Sequence, residues 1–225
     1  MRRPFLISAI IGIGVIIISL VLMLTGPQET GPMADGFFTP IIAFEFASDV
    51  YDVNLIFYSD DSQLIETAIS SITFGTRLDF LFMVLYGAFL LAFSLTCASL
   101  TGNRLFYLPA FLAILTALFD LLENLQLLSI MQQLGSGNFT TQLDYLHLFT
   151  WLKWGTLSAI FLLLIPFFQK AGVFGRFLAM FAALPLVLGV FAYFIPGLPN
   201  ELFALSVSAM ILMMILFTFL YRESS

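Results

Sequence analysis

The chain has 225 residues, 60% of them hydrophobic and only 10% charged, with a mean hydropathy of +1.04 and a net charge of −6. That composition lies far outside the range of soluble domains and belongs to a polytopic membrane protein. One cysteine and one histidine exclude an internal disulfide, a thiolate metal cluster and a multi-histidine zinc centre.

Arg2 and Arg3 precede the first apolar run, Phe5 to Leu24. The run is longer than a usual secretory core and no A-x-A site follows, so it reads as a retained helix rather than a signal peptide. Five further runs are long enough to span a bilayer: Leu78 to Leu100, Leu105 to Met131, Tyr145 to Phe168, Phe174 to Phe194 and Pro199 to Tyr221. The expected fold is an all-α bundle of six transmembrane helices in a single integral domain, residues 1–225. Six crossings put both termini on one side. "IGIG", Ile11 to Gly14, lies inside the first span with no strand before it, so helix packing explains it better than a nucleotide loop.

Residues 25–76 form the external segment between helices 1 and 2. It holds eight acids (Glu29, Asp35, Glu45, Asp49, Asp52, Asp60, Asp61, Glu66) and no lysine or arginine. Its opening, "TGPQETGPMADG", is turn-rich. Thr39 and Pro40 suit a helix start, and a helix through Tyr58 would put Glu45, Asp49 and Asp52 on one stripe. Ile42, Phe46, Val50, Val53 and Phe57 are too apolar for open water, so this helix is expected to lie in the outer interface or fold over the bundle. The stripe reads either as a solvated acidic face or as a lid presenting acids to a membrane site. Asp60, Asp61 and Ser62 offer a cap for a further helix from Gln63 toward Thr73.

Basic residues flanking membrane spans accumulate on the cytoplasmic side. Arg2, Arg3, Arg104, Lys170, Arg176 and Arg222 all fall on one side of the six-helix arrangement. The chain is therefore expected in the inner (plasma) membrane as a multi-pass protein with both termini cytoplasmic. Arg77 and Lys153 break the pattern, and both stand near acids, which points to one polar centre.

That centre is most visible in "FDLLENLQLL", Phe119 to Leu128. If the third span runs outward, Glu123 lies roughly 7 Å outward of the midplane; with the fourth span running inward, Lys153 lies roughly 5 Å outward by the same rise per residue. Asp120, Glu123 and Asn124 share one helix face with Thr116 and Leu127, while Gln126 points away. An ionised group at the centre of a membrane helix costs about 2.5 to 3.5 kcal/mol on insertion scales. Asp120, Glu123 and Lys153 must therefore face one another or water. In "TRLDFLFMVLYG" Asp79 and Tyr86 are seven residues apart and share a face, with Asp79 near the outer rim. His147 and Asp144 begin the fourth span on the same side and complete an expected polar track from the outer surface to mid-bundle. Two carboxylates against one ammonium leave the trio at −1, so a proton or a bound cation is expected there.

The order "FEFA", "LDFLFMVLYG", "FDLLENLQLL" and "WLKWG" resembles a family of small bacterial polytopic membrane proteins for which no activity is established. The similarity runs from Phe44 to about Gly155, and its most specific element is the Asp-x-x-Glu-Asn run in a membrane helix. The resemblance implies that Glu45, Asp79, Asp120, Glu123, Asn124 and Lys153 form one polar set. It supplies no activity.

From the residues themselves, the ligand-binding candidates are Asp120, Glu123, Asn124, Lys153, Asp79, Tyr86 and Glu45, with no catalytic or metal-ligating residue assigned and no cofactor expected. The first reading is an outward-facing charged pocket between helices 2, 3 and 4 that binds, and on one version transports, a cation, a proton or a small polar solute. A second is a membrane isomerase or transferase acting on a lipid or isoprenoid through paired carboxylates. A third is a structural or assembly subunit, in which buried polar groups only pin helices together. Expected partners are the bilayer and a small cationic, polar or lipid ligand, with an oligomer or larger membrane complex as a further option and no nucleic acid. Cys97, Trp151, Trp154 and the many phenylalanines read as packing or lipid-facing groups. Pro185 and Pro196 suggest a kink that would widen a cavity.

Overall fold

The structure, a computed structural model, describes residues 3–27, 29–135 and 137–222. Arg2 and, in the turn-rich opening of the external segment, Gln28 lie outside the described residues. Every regular element among them is helical: α1 (Leu6–Thr25), α2 (Pro40–Glu45), α3 (Val50–Ile56), α4 (Ser62–Thr101), α5 (Tyr107–Gln133), α6 (Thr140–Phe168), α7 (Gly172–Phe181), α8 (Leu184–Phe194) and α9 (Leu198–Leu220). A single 3-10 turn, Arg104–Phe106, leads into α5. Six segments are long and apolar enough to cross a membrane, with α7 and α8 together making the fifth.

The boundaries have local causes. Asp61 caps α4, its Oδ1 accepting from the backbone N–H groups of Gln63 and Leu64. The helix then runs unbroken for 40 residues to Gly102, whose φ of +66° supplies the left-handed turn that stops it. At 1.5 Å per residue α4 is about 60 Å long, twice a hydrocarbon core of about 30 Å. The helix expected from Gln63 is thus continuous with the second span, with Ala68 and Ile72 buried and Ile72 packed in the cluster that holds Phe44, Val53 and Leu127. The fifth span breaks at Ala182–Ala183, with Pro185 in the first turn of α8.

Antiparallel packing brings the start of α1 and the ends of α4, α6 and α9 together, as the contacts of Phe5 with Phe93, Phe167, Phe217 and Tyr221 record. This end carries Arg3, Arg104, Lys170 and Arg222 and is called the basic end; the described residues between α1 and α4 occupy the opposite, loop end. Helix α1 lies between α9 and α4 on its glycines. A Cβ on Gly12 would stand 3.0 Å from the Ile215 side chain, and one on Gly14 would touch Leu85.

The external segment does not form the single helix expected over 39–58. It breaks after Glu45, and Asp49 caps a second helix by accepting from the Asp52 N–H. The apolar residues explain the break: Ile42 to Ala47 are all buried, and Val53, Ile56 and Phe57 pack with Leu127, Ile130, Leu143 and Leu146 of α5 and α6. A straight helix could not turn both runs inward. Glu45, Asp49 and Asp52 therefore share no stripe; Glu45 is buried while Asp49 is exposed. The segment enters the bundle rather than resting on the interface.

Two anchors seat it. Phe38 and Thr39 donate their backbone N–H groups to Glu201 Oε1 at 2.9 and 2.7 Å, so an α9 carboxylate holds the two residues that lead into α2. Gly36 lies against Gly197, and both have positive φ. A Cβ on Gly197 would stand 2.4 Å from the Asp35 carbonyl oxygen, so backbone meets backbone there.

Candidate functional site

Residues three, four and seven apart on α6 set the centre of the site: Thr150, Lys153, Trp154 and Leu157 lie on one face and are all buried. Lys153, 6% exposed, is the hub. Its Nζ pairs with Glu123 Oε2, lies 3.1 Å from Glu45 Oε2 and lies 3.5 Å from Asp120 Oδ1. These three acids come from α5 and from the re-entrant α2, so the ammonium ties the external segment to two membrane helices.

Each acid has further partners. Thr150 Oγ1 donates to Glu123 Oε1 at 2.5 Å, and it also lies 3.2 Å from the Glu45 carbonyl oxygen. Trp154 Nε1 donates to Glu45 Oε2 at 3.1 Å. Tyr86 on α4 donates to Asp120 Oδ2 at 2.6 Å, and Asn124 Nδ2 donates to Asp79 Oδ2 at 2.7 Å. Below this level Thr116 donates to Thr156 at 2.9 Å, a further α5–α6 link. Asp120 Oδ1 is buried and takes part in no hydrogen bond.

All seven candidate residues therefore converge. Glu45, expected on a helix in the outer interface or folded over the bundle, lies at the centre instead, because α2 descends to the level of Thr150, about 15 Å along α6 from its first residue. Burial pushes the Glu45 carboxyl above its ordinary range; the Lys153 ammonium opposes that rise and the Asp120 carboxylate adds to it. With Asp79 included, four carboxyl groups share one ammonium.

Two cavities meet at this cluster. The larger, about 390 Å³, is bounded by Glu45, Asp79, Tyr86, Asp120, Lys153 and Trp154 on one side and by apolar residues of α1 and α9 on the other. The smaller, about 170 Å³, runs from Gly26, Pro27 and Ser71 past Thr76 to Asp79, Asn124 and Glu45. Glu45 and Asp79 line both. A polar track from the loop end does exist, but it passes between α1, α2 and α4.

Other expectations are corrected. Asp144 and His147 are exposed near the start of α6 and line neither cavity; the His147 ring lies against Trp151 instead. Arg77 is exposed and makes no ion pair among the described residues; two positions along a helix turn it about 200° from Asp79. The break at Ala182–Ala183 widens neither cavity, because α7 and α8 contribute to neither lining. Trp154 is a hydrogen-bond donor as well as a packing group, its ring centroid 5.0 Å from Lys153 Nζ. Cys97 is buried in the aromatic core.

Thr150, Trp154 and Glu201 are the residues that sequence reasoning missed. Thr150 and Trp154 share the Lys153 face at offsets of three and one. Glu201 is an acid in the first turn of an otherwise apolar span, so the criterion that singles out Asp120 applies equally to it.

The fold and this cluster define a polytopic α-helical membrane protein with an internal charged centre reached by a re-entrant segment. Comparison with family models, curated proteins and solved structures gave no match, so the reading of the site rests on its geometry.

Proposed function

We propose that the protein binds a cation, or exchanges it for protons, in the charged pocket among α2, α4, α5 and α6, with the loop end facing outward and the basic end cytoplasmic. The observation that carries this reading is the charge count: Glu45, Asp79, Asp120 and Glu123 gather around Lys153 alone beside a cavity. Fully ionised, the group would hold three uncompensated negative charges away from bulk water. Protons or a bound cation supply the missing charge. A network that served only to pin helices would be expected to balance its own charge, whereas here Lys153 is the one cation facing several carboxyl groups.

The basic side of the positive-inside asymmetry supports the orientation. Access for water and small ions from the outer side is supported by the cavity lined by Ser71, Thr76 and Asn124. Toward the basic end the bundle is closed by aromatic rings, so the geometry favours binding; a transport cycle would have to open that seal.

The reading is tested with the full chain in phosphatidylcholine vesicles, titrated with sodium chloride and with methylammonium chloride at constant ionic strength. Cation binding should release protons, seen with a pH indicator, and Glu123→Gln should abolish the release. No proton release and no change in thermal stability with either salt would overturn it.

A further inference from the structure

We infer that the ligand is an amphiphile with a single ammonium head and one apolar chain, which enters sideways from the bilayer between α1 and α9. This rests on the cation-binding reading and names the ligand class of the same pocket.

Three observations carry it. First, the wall of the larger cavity opposite the acids is built from Val15, Ile16 and Leu20 of α1 and Val207, Ile211 and Leu212 of α9, a surface suited to a hydrocarbon chain and not to a hydrated ion. Second, the cavity opens between those two helices. Helices α1 and α9 touch where Gly12 meets Ile215, toward the basic end. Ser19 and Ser208 each lie seven residues from that contact, about 10 Å further along their helices, and both line the cavity. The neighbouring Leu20 and Leu212 are 49% and 48% exposed, so the mouth lies on the face that the lipid covers. Third, the deep end holds an excess of carboxyl groups. Asp120, Glu45 and Asp79 line the cavity there with Lys153 as the one ammonium among them.

The two ends of the cavity make complementary demands. An ammonium head supplies positive charge and up to three donors to a group that has excess carboxyl oxygens and one lysine. A chain attached to it would fill the gap between α1 and α9 and end among acyl chains. An amphiphile already in the bilayer need not cross the loop end, where the smaller cavity has less than half the volume. At about 390 Å³ the larger cavity is of the size expected for a small-molecule site.

The test uses dodecylamine carrying a tail diazirine as a photoprobe, with the full chain in phosphatidylcholine vesicles and labelled residues mapped by mass spectrometry. Labelling should concentrate on residues 15–20 and 207–215, and should be competed by unlabelled dodecylamine but not by dodecanol. Leu212→Trp, a change at the exposed mouth that leaves the acids untouched, should weaken labelling about tenfold while preserving proton release by methylammonium. If butylamine competes as well as dodecylamine, or if Leu212→Trp has no effect, the lateral amphiphile is overturned while the cation-binding reading stands. If no amine competes, Asp120→Asn leaves labelling unchanged and neither sodium nor methylammonium releases protons or changes thermal stability, both are overturned.

Discussion

At mid-bundle the helices enclose Glu45, Asp79, Asp120, Glu123 and Lys153; toward the basic end the same helices enclose Phe5, Phe93, Phe106, Phe167, Phe168 and Phe217. The aromatic region is packed ring on ring, with centroids 4.6 Å apart for Phe5 and Phe93 and 5.9 Å for Phe93 and Phe217. Its cohesion is local and additive, since each edge-to-face or offset pair contributes about 0.5–1.5 kcal/mol beyond its buried area. The polar region depends on charge balance, so removing one group changes the energy of all the others. One region can seal the bundle while the other remains sensitive to protons and ligands.

The largest effect is expected at the hub. Lys153→Met leaves Glu45, Asp120 and Glu123 buried without their cation, and unfolding measured at neutral pH should show a loss of about 3–5 kcal/mol. Adding Glu123→Gln should recover part of it, because one uncompensated carboxylate is removed with the ammonium. Phe93→Ala should cost about 3 kcal/mol by opening a cavity in the aromatic core. Its effect should not depend on pH or on added cations, and a pH-dependent loss would break the contrast between the two regions.

Smaller effects locate the boundary. Glu201→Ala removes the acceptor for the Phe38 and Thr39 N–H groups and should cost about 1–3 kcal/mol. Hydrogen exchange should rise in residues 37–47 and stay unchanged around Phe93. Glu45 couples that segment to pH. Its pKa is raised by burial, so the stability it contributes is fullest below the ordinary value of 4.5 and is lost as pH rises through the raised one. As pH rises above the ordinary carboxyl range the docked segment should loosen, seen as faster hydrogen exchange in residues 37–47, and Glu45→Gln should flatten that dependence. At the far end of the scale, Arg77→Ala and His147→Ala should change stability by less than about 0.5 kcal/mol, because both side chains are exposed.

The spans were legible because hydrophobic length reports them directly; the sixth run, Pro199 to Tyr221, differs from α9 by a single residue at each end. Convergence of Asp120, Glu123 and Lys153 was also legible, since a constant rise per residue turns position into depth. Other features depended on tertiary contacts that no periodicity records. The turn after Glu45 follows from packing Phe44 and Phe46 on separate neighbours: Phe44 meets Phe57, while Phe46 meets Trp151 and Trp154. The role of Glu201 depends on a residue more than 160 positions away. Asp144 and His147 misled because proximity to a span's end fixes depth but not what covers the side chain, and both are exposed.

The need of the buried acids for a counter-charge is tested most directly by infrared difference spectroscopy on the protein in vesicles, with and without methylammonium, in the native chain and in Asp120→Asn and Glu123→Gln. The charge count predicts protonated carboxyl bands at neutral pH that diminish on cation addition, with at least one band lost in a variant. Spectra showing every carboxyl ionised with no cation bound would contradict it.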